Sequence, residues 1–224
     1  MIRRILLLLF VVLFVTSCYN FNNPAEAQDN DPDDNSDFDG TFENYSLGTA
    51  GGDAGFNVQL AAPGPSAAHV AGAPQTNQFL RILDAATDGY VRAFRHFAGV
   101  TSGSFQVGFS LRVAVRGAGP EIEISEAGGG VAVSLFVETD GNLEYMTSGG
   151  PQTTSLELEE TSFYDILVTG NLDTERFTVS VNGSEQAADV GFLESVGALR
   201  RLTLTTEFSG TGEFYIDNIV FDYH

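Results

Sequence analysis

The sequence lacks tryptophan and lysine and has a single cysteine, Cys18, among its 224 residues. One cysteine cannot form an intramolecular disulfide, so the folded part of the chain must be stabilised by its core alone. All ten basic residues are arginines, against 30 acidic residues, and the formal net charge is −20. A chain this acidic repels nucleic acids and anionic lipid surfaces. The composition therefore argues against a nucleic-acid partner.

The excess of acid has a second implication. Like charges repel one another within a folded domain unless salt screens them. Together with the missing lysine, the net charge of −20 predicts a halophilic protein, one adapted to high salt. The alternative is a compositional bias of the lineage that has no relation to salt.

The N-terminus has the pattern of an export signal. Arg3 and Arg4 precede an unbroken apolar run from Ile5 to Val15. A helix across ~30 Å of hydrocarbon takes ~20 residues, so this run is too short to span and instead fits the apolar part of a secretory signal. It ends in Val-Thr-Ser-Cys at 15–18, which resembles the bacterial lipobox. The resemblance implies a signal peptide at 1–17 and a lipid on Cys18; the alternative is an incidental cysteine.

A lipid on Cys18 would make the membrane a partner of this protein. One acyl chain anchors weakly and several anchor stably, and three are usual in lipoproteins of this kind. Tyr19 stands where an Asp retains some bacterial lipoproteins in the inner membrane, which favours the outer membrane of the cell envelope. Residues 18–37 are polar and acidic, cannot bury enough apolar surface to fold, and are predicted to form a disordered tether.

The remaining residues, 38–224, alternate apolar and polar positions as β-strands do. Every second residue is apolar in 105–115, and the same period recurs at 131–137, 177–181 and 202–208. Asp140-Gly141 and Asn182-Gly183 predict type I′ hairpin turns, whose two central residues both need positive φ. One short helix is expected, around 191–196. The predicted fold class is all-β, a two-sheet antiparallel jelly-roll sandwich.

Three segments resemble the concanavalin A-like lectin/glucanase jelly roll, a group that includes laminin-G-like domains. They read FDGTFENYSLG at 38–48, YDILVTGNLD at 164–173 with FTVSVNG at 177–183, and LTLTT at 202–206 with FYIDNIVF at 214–221. The galactose-binding-like jelly roll of carbohydrate-binding modules begins and ends in a similar way and remains the alternative fold.

In both groups the first and last strands often pair, and a structural calcium ion can sit beside that seam. The resemblance implies that Asp39, Glu43 and Asp217 are the metal ligands. Carboxylate and carbonyl oxygens are the ligands that Ca²⁺ prefers. The alternative is that Asp217 caps a turn or accepts backbone hydrogen bonds and that Glu43 is solvated.

One acidic segment suggests an enzyme. EIEISE at 121–126 resembles the Glu-x-Asp-x-x-Glu strand of laminarinase-type glycoside hydrolases. The resemblance implies that Glu121 is the nucleophile and Glu126 the acid/base, about 5 Å apart as retaining hydrolysis requires. Glu123 replaces the central Asp, and the tryptophans that usually line such clefts are absent. The alternative is a solvated acidic strand, short and exposed at a sheet edge. We therefore assign no catalytic residue.

A strip of arginines and aromatic residues suggests a ligand site. Alternation within 90–97 places Tyr90, Arg92, Phe94 and His96 on one face of a strand, and Arg112 lies on the next long strand. Arginine binds carboxylates and sulfates bidentately, so we expect Arg92, His96 and Arg112 to bind an anionic sugar. Polysaccharide lyases of this fold use such residues on the concave sheet, but their sequence motifs are missing. The alternative is that these arginines pair with surplus acids.

The sequence favours an exported, membrane-anchored lipoprotein that displays a lectin-like, glycan-binding β-sandwich. The alternative is a non-catalytic structural or protein-binding component of the envelope, and a polysaccharide hydrolase or lyase is the third hypothesis. The expected partners are the membrane, through the lipid anchor, and a polysaccharide or glycan.

Overall fold

The computed structural model describes residues 41–52, 54–62, 64–73, 76–117, 119–206 and 210–223. These ranges contain fourteen β-strands and no helix. The strands are β1 (Asn57–Leu60), β2 (Ala67–Ala73), β3 (Thr76–Asp84), β4 (Val91–Val100), β5 (Ser104–Val115), β6 (Pro120–Ser125), β7 (Val131–Val137), β8 (Asn142–Thr147), β9 (Gly150–Glu157), β10 (Tyr164–Asn171), β11 (Arg176–Val181), β12 (Ser184–Gly191), β13 (Leu199–Thr206) and β14 (Gly212–Tyr223).

The strands form two antiparallel sheets of seven strands each. The first sheet has the order β1-β4-β13-β6-β7-β8-β9, and the second has the order β12-β11-β10-β5-β14-β3-β2. Strands far apart in sequence are neighbours in both sheets, as β4 with β13 and β5 with β14. This is the two-sheet jelly-roll sandwich that the alternating pattern predicts.

The predicted alternation determines which side chains enter the core. In β5 the buried residues Phe105, Val107, Phe109, Leu111 and Val113 alternate with more exposed positions along most of the strand. In β13, Leu202 and Leu204 are fully buried. Because successive side chains of a strand point to opposite faces, the residues between these apolar positions lie on the outer face of their sheet. The candidate sites consist of these outward-facing residues.

The helix expected around 191–196 does not form. β12 ends at Gly191, and the chain then crosses to β13 without regular structure. The N–H groups of Leu193 and Glu194 donate to the carbonyl oxygens of Ala132 and Val131, at 2.8 and 3.0 Å. These amides therefore bond to β7 and not to a preceding helical turn. Among the described residues, none belongs to a helix that is long and apolar enough to span a bilayer.

Only one of the two predicted hairpin turns has the predicted type. Asn182 and Gly183 both have positive φ, 49° and 76°, as a type I′ turn requires. In the other turn Gly141 has a φ of 93° but Asp140 does not have positive φ. The N–H of Gly141 donates to Glu138 O at 2.8 Å, which is typical of a longer loop with a glycine bulge.

Candidate functional site

The middle of the first sheet carries polar and charged side chains on its outer face. The strand register places Phe94, Thr203, Glu123 and Ser134 in one row across four strands. The next row contains Arg92, Thr205, Glu121 and Phe136, and a third row contains His96, Arg201 and Ser125. We call this surface the central face; it comprises Arg92, Phe94, His96, Glu121, Glu123, Ser125, Ser134, Phe136, Arg201, Thr203 and Thr205.

Short hydroxyl side chains form the floor of the central face. Thr203 and Ser134 are each 2% exposed and Thr205 is 8% exposed, although all three point away from the core. Longer side chains flank the two threonines of β13, with Arg92 and Phe94 of β4 on one side and the two glutamates of β6 on the other, and Ser134 lies beyond these glutamates on β7. The long side chains cover the hydroxyls, so the face has a basic, aromatic side and an acidic side with short hydroxyl side chains between them, an arrangement that we call the trough.

Most of the floor hydroxyls have hydrogen-bond partners. Ser134 Oγ donates to Glu121 Oε1 at 3.1 Å, and Arg92 Nε donates to Thr205 Oγ1 at 3.3 Å. Thr203 differs, because its Oγ1 is buried and has no hydrogen-bond partner among the described residues. A buried polar atom without a partner carries a desolvation cost, so a ligand that displaces the side chains above Thr203 would gain a hydrogen bond from its hydroxyl.

The two glutamates of β6 have raised pKa values. Burial, and next the charge of Glu123, raise the pKa of Glu121 to about 7, while the Ser134 hydrogen bond and Arg92 act in the opposite direction. Burial also raises the pKa of Glu123, although Arg92 and Arg201 oppose it. Close carboxyl groups titrate as a pair. Near neutral pH this pair therefore offers both a protonated carboxyl, which donates a hydrogen bond, and a carboxylate, which accepts one.

The basic wall contains aromatic rings in contact with cations. The guanidinium carbon of Arg201 lies 5.7 Å from the ring centroid of Phe94, and that of Arg92 lies 5.2 Å from the ring of Tyr90. Phe94 and His96 have ring centroids 5.6 Å apart. The expected shared face of Arg92, Phe94 and His96 is thus present on β4, and it provides both charge and stacking surface.

Arg112 is not part of this wall, contrary to the grouping expected from the sequence. It lies on β5 of the second sheet, where it pairs with Tyr215 of β14, whereas β4 belongs to the first sheet. Arg92 and His96 point outward from one sheet and Arg112 points outward from the other. The reason is topological, since β4 and β5 are consecutive in the chain but enter different sheets.

The acidic segment 121–126 does not form an edge strand. β6 is the fourth of seven strands in the first sheet, between β13 and β7, and Glu121 and Glu123 are half-buried. Glu126 lies beyond the end of β6, where its Oε1 accepts hydrogen bonds from the backbone N–H groups of Gly197 and Ala198. The carboxyl that shares the face of Glu121 is therefore Glu123, and Glu126 fixes the loop before β13.

The expected calcium ligands are described only in part, because Asp39 lies outside the described residues. Glu43 Oε1 accepts a hydrogen bond from Gln78 N–H at 2.8 Å, and Gln78 Nε2 donates to Glu43 O at 2.9 Å. Glu43 Oε2 and Gln78 Oε1 are both buried without a hydrogen-bond partner among the described residues. Two such oxygens fit a hard cation, which takes carboxylate and amide oxygens.

Asp217 lies at the same end of the second sheet as Gln78. Ile216 pairs with Leu80 of β3, which places Asp217 one residue past that pair in the direction of Gln78. The described ranges contain no group of three or more His, Cys, Asp or Glu residues that could hold a metal. Calcium therefore remains a prediction that would need oxygens beyond Glu43 and Asp217, from Gln78, from backbone carbonyls or from Asp39.

A shallow pocket of about 330 Å³ lies elsewhere, on the second sheet. Its lining is mainly neutral and polar and includes Gln106, Thr169, Asn171 and Thr178. The exposed ion pair of Arg176 with Asp189, at 3.3 Å, lies at its edge. The half-buried carboxyl pair with raised pKa values and the buried, unpartnered hydroxyl distinguish the central face from this pocket, and we regard the central face as the stronger candidate.

Other expectations concern parts of the chain outside the described residues. The signal peptide at 1–17, the lipidated Cys18 and the tether at 18–37 all lie there, as does Asp39. The domain that begins at residue 38 is described from residue 41.

The hydroxyl floor was not anticipated from the sequence. Thr203 and Thr205 alternate with leucines in β13, and this alternation is the signal that marks them as outward-facing. It does not show that β13 lies between β4 and β6, which makes the two threonines the bottom of a trough. Ser134 and Arg201 were not predicted as site residues for the same reason, because the sequence does not show which strands are neighbours.

The sequence matches no protein-family model and no curated protein. Solved structures with the same fold do match. A sialidase superimposes with a TM-score of 0.68 at 14% identity, over 82% of this chain but only 18% of that one. This chain therefore spans less than a fifth of the sialidase.

Two other neighbours have lengths close to that of this chain. A mutant of the alginate lyase Aly36B in complex with alginate trisaccharide gives a TM-score of 0.52 at 13% identity and covers 82% of this chain and 96% of its own. Lectin II from Ulex europaeus gives 0.50 at 12% identity and covers 73% and 92%. These likenesses show the fold, a jelly-roll sandwich consistent with the concanavalin A-like group.

Proposed function

We propose that this protein is a glycan-binding module whose ligand lies in the trough of the central face. The observation that carries the proposal is the buried Thr203 hydroxyl, which has no hydrogen-bond partner among the described residues and lies between Phe94 and Glu123 on the neighbouring strands. Sugars present many hydroxyl groups, each of which can donate and accept hydrogen bonds. A trough with a free hydroxyl, a carboxyl pair, guanidinium groups and an aromatic ring matches that chemistry.

The structural neighbours support the same choice. The fold is shared with a lectin and with an alginate lyase bound to a trisaccharide, so it can present a face to saccharides. The central face contains Arg92 and Arg201 beside a carboxyl pair that is partly protonated near pH 7. An uncharged or mildly acidic saccharide suits this mixture better than a densely sulfated one, because the acidic wall repels the latter.

Screening on a glycan array with calcium present is the first experiment, followed by titration of the best ligand into four variants. Thr203→Val, Arg92→Gln and Glu123→Gln each remove one group of the trough. We expect each to weaken binding about tenfold, as the loss of one hydrogen bond in a desolvated site does. Arg176→Gln, on the other sheet, is the matched control and should leave affinity unchanged.

Thr203→Val is the decisive variant because it separates binding from folding. Its Oγ1 is buried and unpartnered within the described structure, so replacing the hydroxyl with a methyl group should not lower the free energy of unfolding. Unchanged affinity in this variant would refute the proposed site. Silence on all glycans would refute glycan binding and favour a structural or protein-binding role in the envelope.

Catalysis is the second candidate function, favoured by the Glu121 pKa of about 7. A carboxyl group with this pKa is suited to general acid or base catalysis near neutral pH. The test is release of reducing ends or unsaturated products from a polysaccharide panel, with Glu121→Gln as the inactive variant. Absence of product from every polysaccharide, or undiminished activity in Glu121→Gln, would exclude this role.

The lipobox-like segment gives the place where the module would act. We propose that the mature protein is a lipoprotein, anchored through Cys18 in the cell envelope, with the outer membrane as its site. The support is the basic start, the apolar run and the Val-Thr-Ser-Cys sequence at 15–18.

A further inference from the structure

Arg112 occupies an unusual position on the outer face of the second sheet. Its guanidinium carbon lies 4.6 Å from the ring centroid of Tyr215 and 5.8 Å from that of Phe163. Phe79 supports both rings, with centroid distances of 4.7 Å to Tyr215 and 5.8 Å to Phe163. The three aromatic residues thus form a platform that holds the guanidinium group through cation–π contacts.

A separate ion pair fixes the platform. Arg81 Nε donates to Glu213 Oε1 at 2.7 Å, and the Tyr215 hydroxyl donates to the same oxygen. Burial raises the pKa of Glu213, but the hydrogen bonds from Arg81 and Tyr215 bring that pKa below its ordinary value. Glu213 is therefore ionised, and its direct ion pair is with Arg81, whereas Arg112 acts on it only through its charge, as the smallest of the effects that lower its pKa.

Within the described ranges Arg112 has no hydrogen-bond or ion-pair partner, and its Nε atom is buried without one. This is unexpected in a chain with 30 acidic residues and ten arginines; Arg81, Arg116 and Arg176 all contact carboxylates. A half-buried guanidinium that retains its donors is the arrangement that receives an oxyanion in a bidentate contact.

Other groups on this face do not cancel the positive charge. His69 lies opposite Arg81 on β2, and burial, followed by the charge of Arg81, lowers its pKa, so it is neutral at neutral pH. Arg81 and Glu213 neutralise one another. The positive charge of Arg112 is therefore available to a ligand. Because the overall charge of the protein repels anions, an oxyanion that binds at Arg112 must be held by direct contact with its guanidinium group.

We propose that Arg112, on its platform of Tyr215, Phe163 and Phe79, binds the carboxylate or sulfate group of an acidic sugar. Aromatic surface beside the guanidinium favours a ligand with an apolar ring face attached to the anion. The site lies on the sheet opposite the central face and does not depend on the function proposed for that face.

The test is calorimetric titration of the full mature chain at 0.15 M sodium chloride, where fields from distant charges are screened beyond ~8 Å. The probes are glucuronate, glucose 6-sulfate, inorganic sulfate and glucose. We expect glucuronate or glucose 6-sulfate to bind more tightly than inorganic sulfate, and glucose not to bind. The first two probes distinguish a carboxylate ligand from a sulfated one, and inorganic sulfate tests the need for the sugar ring.

Two variants of the same residue make the result specific. Arg112→Gln should weaken binding at least about tenfold, and Arg112→Lys, which keeps the charge but loses the planar fork, should weaken it less. Arg200→Gln removes an exposed arginine of the first sheet and is the control that should leave binding unchanged, whereas Arg92→Gln reports whether a probe occupies the central face instead. Thermal melts of all variants establish that they are folded.

The proposal fails if none of the acidic probes binds, or if inorganic sulfate binds as well as both acidic sugars. It also fails if Arg112→Gln binds like the parent chain. Loss of acidic-sugar binding in Arg92→Gln but not in Arg112→Gln would assign the ligand to the central face and overturn this inference while supporting the proposed function.

Discussion

Thr206 Oγ1 donates a hydrogen bond of 2.8 Å to Asp84 Oδ2, although the two residues are 122 positions apart in the chain. Asp84 ends β3 in the second sheet and Thr206 ends β13 in the first, and each is 1% exposed. Thr206 Oγ1 also accepts a hydrogen bond from the N–H of Val91 at 2.8 Å, at the start of β4. This hydroxyl therefore links the two sheets at the point from which β4, the basic wall of the central face, begins.

Removing that hydroxyl should destabilise the protein. Thr206→Val leaves Asp84 Oδ2 and the Val91 amide with one hydrogen bond fewer, and buried groups left unsatisfied cost about 1–3 kcal/mol each. We expect a lower free energy of unfolding in urea for Thr206→Val. Thr206→Ser is the control, since it keeps the hydroxyl and loses one methyl group. Equal stability of the valine variant and the parent would show that this link is not structural.

Stability should decrease as the pH rises through the range in which Glu121 ionises. Burial and the charge of Glu123 raise its pKa from 4.5 to about 7, so the folded state holds this proton more tightly than the unfolded state does. The stabilisation is fully present below the unfolded pKa and is lost as the pH rises to about 7, a change on the order of 3 kcal/mol.

Chemical denaturation between pH 4 and 8, with Glu121→Gln as the comparison, measures this effect. The glutamine variant should show a smaller decrease over the same range because it has no proton to release at this position. Glu185→Gln, an exposed residue of β12, should behave like the parent. A decrease of equal size in Glu121→Gln would show that another group is responsible.

Calcium should raise the melting temperature of the folded chain. Glu43 Oε2 and Gln78 Oε1 are buried oxygens without hydrogen-bond partners in the described structure, and a cation that binds only the folded state stabilises it by mass action. We expect a rise with Ca²⁺ over EDTA, and a smaller rise in Glu43→Gln and Asp217→Asn. Magnesium serves as the control ion because it is smaller and binds fewer oxygens. Identical melting temperatures with Ca²⁺ and with EDTA would contradict the prediction of a calcium site.

Molar sodium chloride should stabilise the protein. The formal charge of −20 creates repulsion in the folded state, and salt screens it over a few ångströms at molar concentration. We expect a higher melting temperature in molar salt than in dilute buffer. Replacing exposed acids such as Glu159 and Glu185 with glutamine should reduce this gain. No gain in the parent chain would contradict the prediction of a halophilic protein.

Replacing the cysteine should detach the protein from membranes. Expressed in a bacterium, the parent chain should incorporate labelled palmitate and fractionate with the envelope, whereas Cys18→Ala should do neither, because the acyl chains provide the anchoring energy. Separation of inner and outer membranes tests the expectation based on Tyr19. Labelling that persists in Cys18→Ala would show that the lipid is attached elsewhere or that the lipobox resemblance is incidental.

The alternating sequence pattern predicts the strands well but not their neighbours. β7 has the predicted bounds, 131–137, and the strand predicted in 105–115 is β5 with one residue added at its start. The expected helix near 191–196 is absent because its amides bond to β7, a contact between distant parts of the chain. The turn at 140–141 departs from the expected type for a related reason. Arg116 Nη1 donates to Asp140 O at 2.9 Å from another strand, and a Cβ at Gly141 would meet that guanidinium.

The same limit applies to the candidate site, where the pattern gives the face of a residue on its own strand but not the residues beside it on other strands. Alternation correctly places Arg92, Phe94 and His96 on one face, because that property belongs to a single strand. It cannot show that Glu121 and Glu123 lie across β13 from them, nor that Arg112 faces the opposite side of the molecule. Both facts depend on the order of strands in the sheets, which long-range pairing determines.

By itself the sequence determined that this chain has an all-β domain with one buried face per strand, since a period of two hides apolar side chains only in stacked sheets. The tertiary structure decided which polar residues meet. Only the packing of β4, β13 and β6 side by side partly shields a carboxyl pair from water and so raises its pKa, and the same packing leaves the Thr203 hydroxyl buried without a partner in the described structure. Burial of this kind is a property of neighbours in space, which local sequence does not encode.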